Sequence, residues 1–232
     1  MKKSVANKEI IVGDGRKRLA ASLLVKLREV FPDADCSLRF GSPFELLVAT
    51  VLSAQCTDVQ VNKVTDVLFK KYNKPEHFVE IPLETLEELI KSTGFYRNKA
   101  KNIKNAAEDI VKRFGGKVPR TMDELITLSG VGRKTANVVL GNGFGINEGF
   151  VVDTHVFRLS HRLGLADGRI AERVERELMA IFPQQDWCFL SHALIQLGRN
   201  RCKSRKPDCN TCPVNTICPQ LCRSLPQVPA SD

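Results

Sequence analysis

Apolar residues recur at helical spacing along most of the chain. Leu19, Leu23, Leu24, Leu27 and Phe31 form one stripe that begins near Arg16 and stops at Pro32. Ser42-Pro43-Phe44-Glu45 puts serine at an N-cap, proline at N1 and glutamate at N3 of a second helix. Leu46 to Leu52 is then apolar nearly all round, which predicts a central helix packed on every side. Further helices are predicted over about 58–72, 84–93 and 97–114, the second ending at Gly94. Thr121-Met122-Asp123-Glu124 reads as a capping box that opens a short helix. Thr154 to Leu163, Ala171 to Phe182 and Trp187 to Arg199 complete the set. No alternating strand pattern and no strong internal repeat interrupts it. The fold class is therefore all-α, with short loops. Residues 1–15 and 223–232 read as flexible tails.

One stretch breaks the helical pattern in an informative way. Leu128-Ser129-Gly130-Val131-Gly132-Arg133-Lys134-Thr135-Ala136 carries two glycines just ahead of two cations, and Ala136 to Leu140 continues as helix. The local reading is helix, Gly-x-Gly hairpin, helix. Backbone amides at such a hairpin and helix start can bind a phosphate oxygen. Lys134 lies in the first turn, where the helix dipole and Arg133 both oppose protonation of an amine. If partly desolvated, it is a candidate nucleophile; otherwise it is an ordinary solvated lysine.

Composition points the same way. The 232 residues carry a net charge of +9, which favours a polyanionic partner, nucleic acid first. No run approaches the roughly 20 apolar residues of a membrane span, and the basic N-terminus lacks a signal-peptide core. The expected setting is cytosolic, so the eight cysteines are not expected to form disulfides. Cys202, Cys209, Cys212 and Cys218, with six, two and five residues between them, read as a metal centre. Zinc and a [4Fe–4S] cluster both accept four thiolates, and the single Cys-x-x-Cys pair tilts the reading to iron–sulfur. Between the first two ligands, Lys203, Arg205 and Lys206 make a basic loop suited to phosphate contact. Cys36, Cys56 and Cys188 read as small buried apolar residues, and Cys222 lies outside the spacing.

Other segments leave two readings open. Ser53-Ala54-Gln55-Cys56-Thr57-Asp58 is either a turn near a site or a plain connection capped by Thr57 or Asp58. Phe95-Tyr96 precedes a helix with Arg97, Lys99, Lys101 and Lys104, and either enters a base stack or packs. Asp153, nineteen residues after Lys134, is equally suited to cap the helix at Thr154. His161 and His192 read as structural.

Taken in chain order, these segments resemble the endonuclease III family of DNA glycosylases over roughly residues 16–220. The resemblance rests on Ser53–Asp58, Gly94-Phe95-Tyr96 with Lys99-Ala100, Leu128–Leu140, Val152-Asp153-Thr154-His155 and the four cysteines. It implies a two-lobed helix-hairpin-helix glycosylase with a DNA cleft between the lobes. A six-helix barrel would span 36–146, with the helix-hairpin-helix at about 121–141. An iron–sulfur lobe would combine 16–35 with 147–222 and hold a [4Fe–4S] cluster on Cys202, Cys209, Cys212 and Cys218. It implies Lys134 as nucleophile and Asp153 as its carboxylate partner. Gln55 and Phe95 map to positions that enter the duplex when the damaged base leaves, although the family commonly has an aliphatic residue in place of Phe95. Gly130, Gly132, Arg133, His155, Lys203, Arg205 and Lys206 complete the expected DNA contacts. The implied activity is removal of oxidised pyrimidines from double-stranded DNA through a lysine Schiff base, followed by strand nicking at the abasic site. A monomeric, prokaryotic, nucleoid-associated protein is expected.

Two competing readings fare less well. A monofunctional glycosylase of the same superfamily would need a carboxylate in the helix before Gln55, and Val48-Ala49-Thr50-Val51-Leu52 has none. A pure DNA-binding hairpin module would need neither Lys134 nor Asp153.

Overall fold

A computed structural model of the chain describes residues 13–219, and those residues contain no strand. The chain forms two compact units. One is continuous, Cys36–Glu148; the other joins the segment ending at Asp35 to the chain from Gly149 onward. The expected tails at 1–12 and 223–232, and Cys222, lie outside the described residues. Asp14 and Gly15, expected in the first tail, instead open helix α1 (Asp14–Val30).

The middle unit is built around α2 (Pro43–Leu52). The Ser42 hydroxyl accepts from the Glu45 amide at 3.2 Å, and the Glu45 carboxylate accepts from the Gly41 amide. These bonds fix the helix start. Eight of its ten residues are buried. Leu46, Leu47 and Leu52 are within 2% of full burial, each worth about 1.5–3 kcal/mol of hydrophobic stabilisation. Around it run α3 (Asp58–Leu68), α4 (Pro75–Glu80), α5 (Leu83–Ile90) and α6 (Tyr96–Phe114). The α4 helix was not expected from the apolar pattern, since six residues are too few to show a helical period. Its Phe78 is fully buried and meets Phe44 edge-on at 5.3 Å. α5 ends three residues earlier than the expected end at residue 93 and leads into a 3₁₀ turn, Lys91–Thr93.

Helices α7 (Met122–Leu125) and α8 (Arg133–Val138) follow. Thr121 caps α7, accepting from the Glu124 amide at 3.4 Å. Glu124 does not complete the reciprocal half of the box; its carboxylate accepts from the Thr121 hydroxyl at 2.7 Å. Glu148 instead takes the Met122 amide at 3.3 Å. After α8 the helix widens into a π turn, Val139–Gly143.

In the discontinuous unit, α1 packs with α9 (Thr154–Arg162), α10 (Ala171–Met179) and α11 (Trp187–Asn200). Leu23, Leu27, Val156, Leu159, Leu190 and Leu194 are fully buried in its core. The one tryptophan donates from its indole to the Phe182 carbonyl at 2.9 Å. His161 holds the Phe157 and Gly168 carbonyls within 2.8 and 3.0 Å, a structural role.

Candidate active site

The hairpin between α7 and α8 turns on Gly130. Its φ is +76°, and an added Cβ would lie 2.8 Å from the Asn102 Cβ on α6. A left-handed backbone and this close approach leave room for glycine only. Gly132 differs. It is the N-cap of α8 in extended backbone (φ −93°, ψ 175°), and nothing lies within 4 Å of where its Cβ would be. No side chain caps this helix start, so an oxyanion is the natural complement of the α8 amides. Gly130, Gly132, Arg133 and Lys134 are all exposed, whereas Ala136 to Leu140 are buried. The packed half of α8 thus presents Lys134 outward. Lys134 is exposed in the protein alone, so the partial desolvation that would make it a nucleophile is not supplied by its protein neighbours.

Gln55 and Phe95 stand on two exposed loops of the same unit. Both adopt left-handed backbone, with φ of +53° and +47°. Among the described residues only Lys206, at +50°, shares this state without being glycine. Such a conformation costs on the order of 1–3 kcal/mol per residue and is held by surrounding structure. Phe95 follows Gly94, itself at φ +71°, and serves as the N-cap of α6. It is 65% exposed and is the only exposed aromatic residue among those described. Of the two readings for this aromatic, packing within the protein is therefore the one the structure removes.

Of the four cations that make α6 read as a basic helix, two point inward. Lys99 is 5% exposed; its ammonium donates to the Leu52 and Thr93 carbonyls at 2.9 and 2.8 Å. Lys104 donates to the carbonyls of Phe78, Val79 and Ile81, closing the C-terminal end of α4. Arg97 and Lys101 are the exposed pair. A sequence signal for Lys99 exists: it shares the buried stripe of Ala100, Ile103, Ala106, Ala107 and Ile110.

In the discontinuous unit, Asp153 caps α9, its Oδ1 accepting from the Val156 amide at 2.8 Å. The side chain is half-buried. His155 sits against Gly198, where a Cβ would come within 3.0 Å of the ring, and its Nδ1 lies 3.1 Å from the Arg158 guanidinium. Burial pushes the His155 imidazolium below its ordinary range; the Asp153 carboxylate opposes this, while Arg158 and Arg199 add to it.

Helix α9 also fastens the cysteine segment, through two arginines that sequence reasoning missed. Arg158 donates to the Gly198 and Cys202 carbonyls, at 3.1 and 2.9 Å. Arg162 donates to the Lys203 and Ser204 carbonyls, at 2.6 and 2.9 Å, and lies 3.5 Å from the Cys202 sulfur. Lys203, Arg205 and Lys206 are exposed on this pinned loop. Lys206 is left-handed although it precedes Pro207, which disfavours any but extended backbone before it.

Cys202, Cys209, Cys212 and Cys218 line one pocket with Leu159, Leu163, Leu197 and Val214. All four are half-buried, and none is in a disulfide. Cys36, Cys56 and Cys188 are also half-buried, less enclosed than expected for core residues. Burial pushes the Cys212 thiol up, and charge on Cys202 and Cys209 adds to it. Several thiolates gathered here need a cation to coexist. Among the described residues, no three His, Cys, Asp or Glu side chains lie close enough to hold a single metal ion. Four cysteine sulfurs lining one pocket are a donor set that either a zinc ion or a [4Fe–4S] cluster accepts.

Residues 48–184 match the model of the HhH-GPD superfamily base excision DNA repair proteins. Endonuclease III of Synechocystis is 51% identical over 204 residues, covering 88% of this chain and 93% of that protein. The chain belongs to the endonuclease III family. Endonuclease III of Bacillus subtilis is 50% identical, covering 84% of this chain and 89% of that protein. An endonuclease III solved in a non-covalent DNA complex is 44% identical, with a TM-score of 0.84 and coverage of 93% and 99% of the two chains. A second such structure, at the same identity, is a trapped covalent intermediate with DNA. A thermostable thymine-DNA glycosylase, 21% identical with a TM-score of 0.80, shares the fold. The all-α architecture is thus the helix-hairpin-helix glycosylase fold of the endonuclease III family. Among the described residues no helix is long and apolar enough to cross a membrane.

Proposed function

We propose that this chain is a bifunctional DNA glycosylase and abasic-site lyase of base excision repair, acting as a monomer on oxidised pyrimidines in duplex DNA. The observation that carries the reading is the exposed Lys134 in the first turn of a helix with no side-chain cap, beside a glycine hairpin. Two left-handed, exposed residues, Gln55 and Phe95, stand on loops of the same unit. The relative trapped as a covalent DNA intermediate supports a covalent nucleophile, and Lys134 is the amine placed to serve as one.

Amides at Gly130 and Gly132 and the Arg133 side chain grip backbone phosphate. The damaged base leaves the stack at a cost of a few kcal/mol, lower for a poorly stacked base. Gln55 and Phe95 fill the gap, and the duplex buries the exposed phenyl ring. The Lys134 amine attacks the sugar C1′, and the base departs with its bonding electron pair. Ring opening of the sugar gives the Schiff base. A proton then leaves C2′, and the electron pair expels the 3′ phosphate. Asp153 stabilises positive charge growing on the sugar and assists the proton transfers. Its hydrogen bond to the Val156 amide holds one carboxylate oxygen and leaves the other to act. His155, Lys203, Arg205 and Lys206 contribute positive or polar surface for phosphates.

Cys202, Cys209, Cys212 and Cys218 would hold a [4Fe–4S] cluster, which would brace the basic loop and could exchange an electron. The protein would work on the prokaryotic nucleoid. The test is a duplex with one thymine glycol. Excision followed by nicking, leaving a 3′ unsaturated aldehyde and a 5′ phosphate, is expected. Base release with an intact strand would reassign the protein as monofunctional.

A further inference from the structure

The proposed function leaves Lys99 without a task. Its position in the apolar stripe of α6 could be filled by methionine or leucine at no desolvation cost. Burial lowers the pKa of its amine, so the ammonium is held there against a penalty. What it gains are the two carbonyls at 2.9 and 2.8 Å. Leu52 is the last residue of α2, where the helix dipole favours a cation, and stands three residues before Gln55. Thr93 ends the 3₁₀ turn, two residues before Phe95. One cation therefore joins the chain on the approach to both left-handed residues. A second tie runs parallel: the Gln60 side-chain amide in the first turn of α3 donates to the Ser92 hydroxyl at 2.8 Å. The two loops are thus linked on both flanks, while Gln55 and Phe95 remain exposed between them.

We propose that Lys99 is a positioning residue that locks the Gln55 and Phe95 loops together, so that both side chains enter the duplex as one preformed unit. This rests on the reading of Gln55 and Phe95 as the residues that fill the gap. Fixing them before binding removes the ordering cost that two independent loops would meet at the moment the base leaves.

The test uses full-length protein and a thymine glycol duplex with 2-aminopurine beside the lesion, whose fluorescence rises on unstacking. In Lys99→Met, the fluorescence rise and the single-turnover base-release rate should each fall by about tenfold, as expected for about one order of magnitude of lost preorganisation. Affinity for undamaged duplex should stay within about twofold, since phosphate contacts supply non-specific binding. In a Gln55→Ala/Phe95→Ala background, Lys99→Met should change the rate by less than about twofold, because coupled residues are not additive. An equal loss in both backgrounds, or no loss in Lys99→Met, would overturn the positioning role while leaving the insertion reading intact. Unchanged fluorescence and rate in Gln55→Ala/Phe95→Ala itself would instead remove the insertion reading, and the proposal with it. If Lys99→Met does not fold, the same cycle is run with Lys99→Arg, whose larger head keeps the charge but misplaces the two carbonyls.

Discussion

Asp153 has two tasks that substitution can separate. Its Oδ1 caps α9 through the Val156 amide at 2.8 Å, and its charge is assigned to catalysis. Asparagine caps a helix about as well as aspartate, whereas alanine does not. Asp153→Ala should therefore cost about 1 kcal/mol, or roughly 2–4 °C in Tm for a chain of this size. Asp153→Asn should cost a few tenths of a kcal/mol, mainly the charge–dipole contribution, and shift Tm by less than about 1 °C. Both variants should lose about 10²-fold or more in single-turnover base release, because both lack the carboxylate. Differential scanning fluorimetry and quenched-flow excision on a thymine glycol duplex measure the two effects. If Asp153→Asn cuts with wild-type rate, the charge has no catalytic part. If it melts as low as Asp153→Ala, the capping account is wrong.

Three further outcomes follow from the geometry. Gly130→Ala places a Cβ 2.8 Å from Asn102 at φ +76° and should cost about 1–3 kcal/mol in thermal melts; Gly132→Ala, with open space around it, should melt within about 0.5–1 kcal/mol of wild type, so that any loss of DNA affinity reports the hairpin amides. Because burial depresses the His155 pKa in the folded state, the unfolded chain takes up its proton first. Stability should be fully present above about pH 6.5 and fall on acidification below it, and a Tm–pH profile of His155→Gln should lack that component. Purified protein should be brown, with iron and sulfide; Cys212→Ser should lose both and become more sensitive to trypsin at the Lys203–Lys206 loop, whereas a colourless protein containing only zinc would contradict the cluster.

The longer helices were legible from an apolar stripe of two turns or more, and the starts of α2 and α7 from their caps. Ser42 and Thr121 are caps in the structure as read, and the apolar run of α2 is buried as its sequence demands. The six-residue α4 was not legible, because one turn and a half shows no period. Lys99 shows a different gap. A lysine counts as polar in any pattern, so its place in a buried stripe passes for an exposed cation. Only the partners, two carbonyls 47 and 6 residues away in sequence, reveal it. The arginines of α9 are similar: their targets are backbone carbonyls, which carry no residue identity to read. The left-handed states of Gln55 and Phe95 were also out of reach, since neither residue type signals positive φ. For Lys134, local sequence supplied the hairpin and the helix start, but the packing of Ala136 to Leu140 is what turns the amine outward.

The central claim is a covalent bond between Lys134 and the sugar. Borohydride added during reaction with a thymine glycol duplex reduces a Schiff base to a stable amine. The account predicts a protein–DNA adduct that maps to the tryptic peptide carrying Lys134 and vanishes in Lys134→Gln, while that variant still binds duplex DNA. An undiminished adduct in Lys134→Gln, or one that maps to another amine, would contradict it.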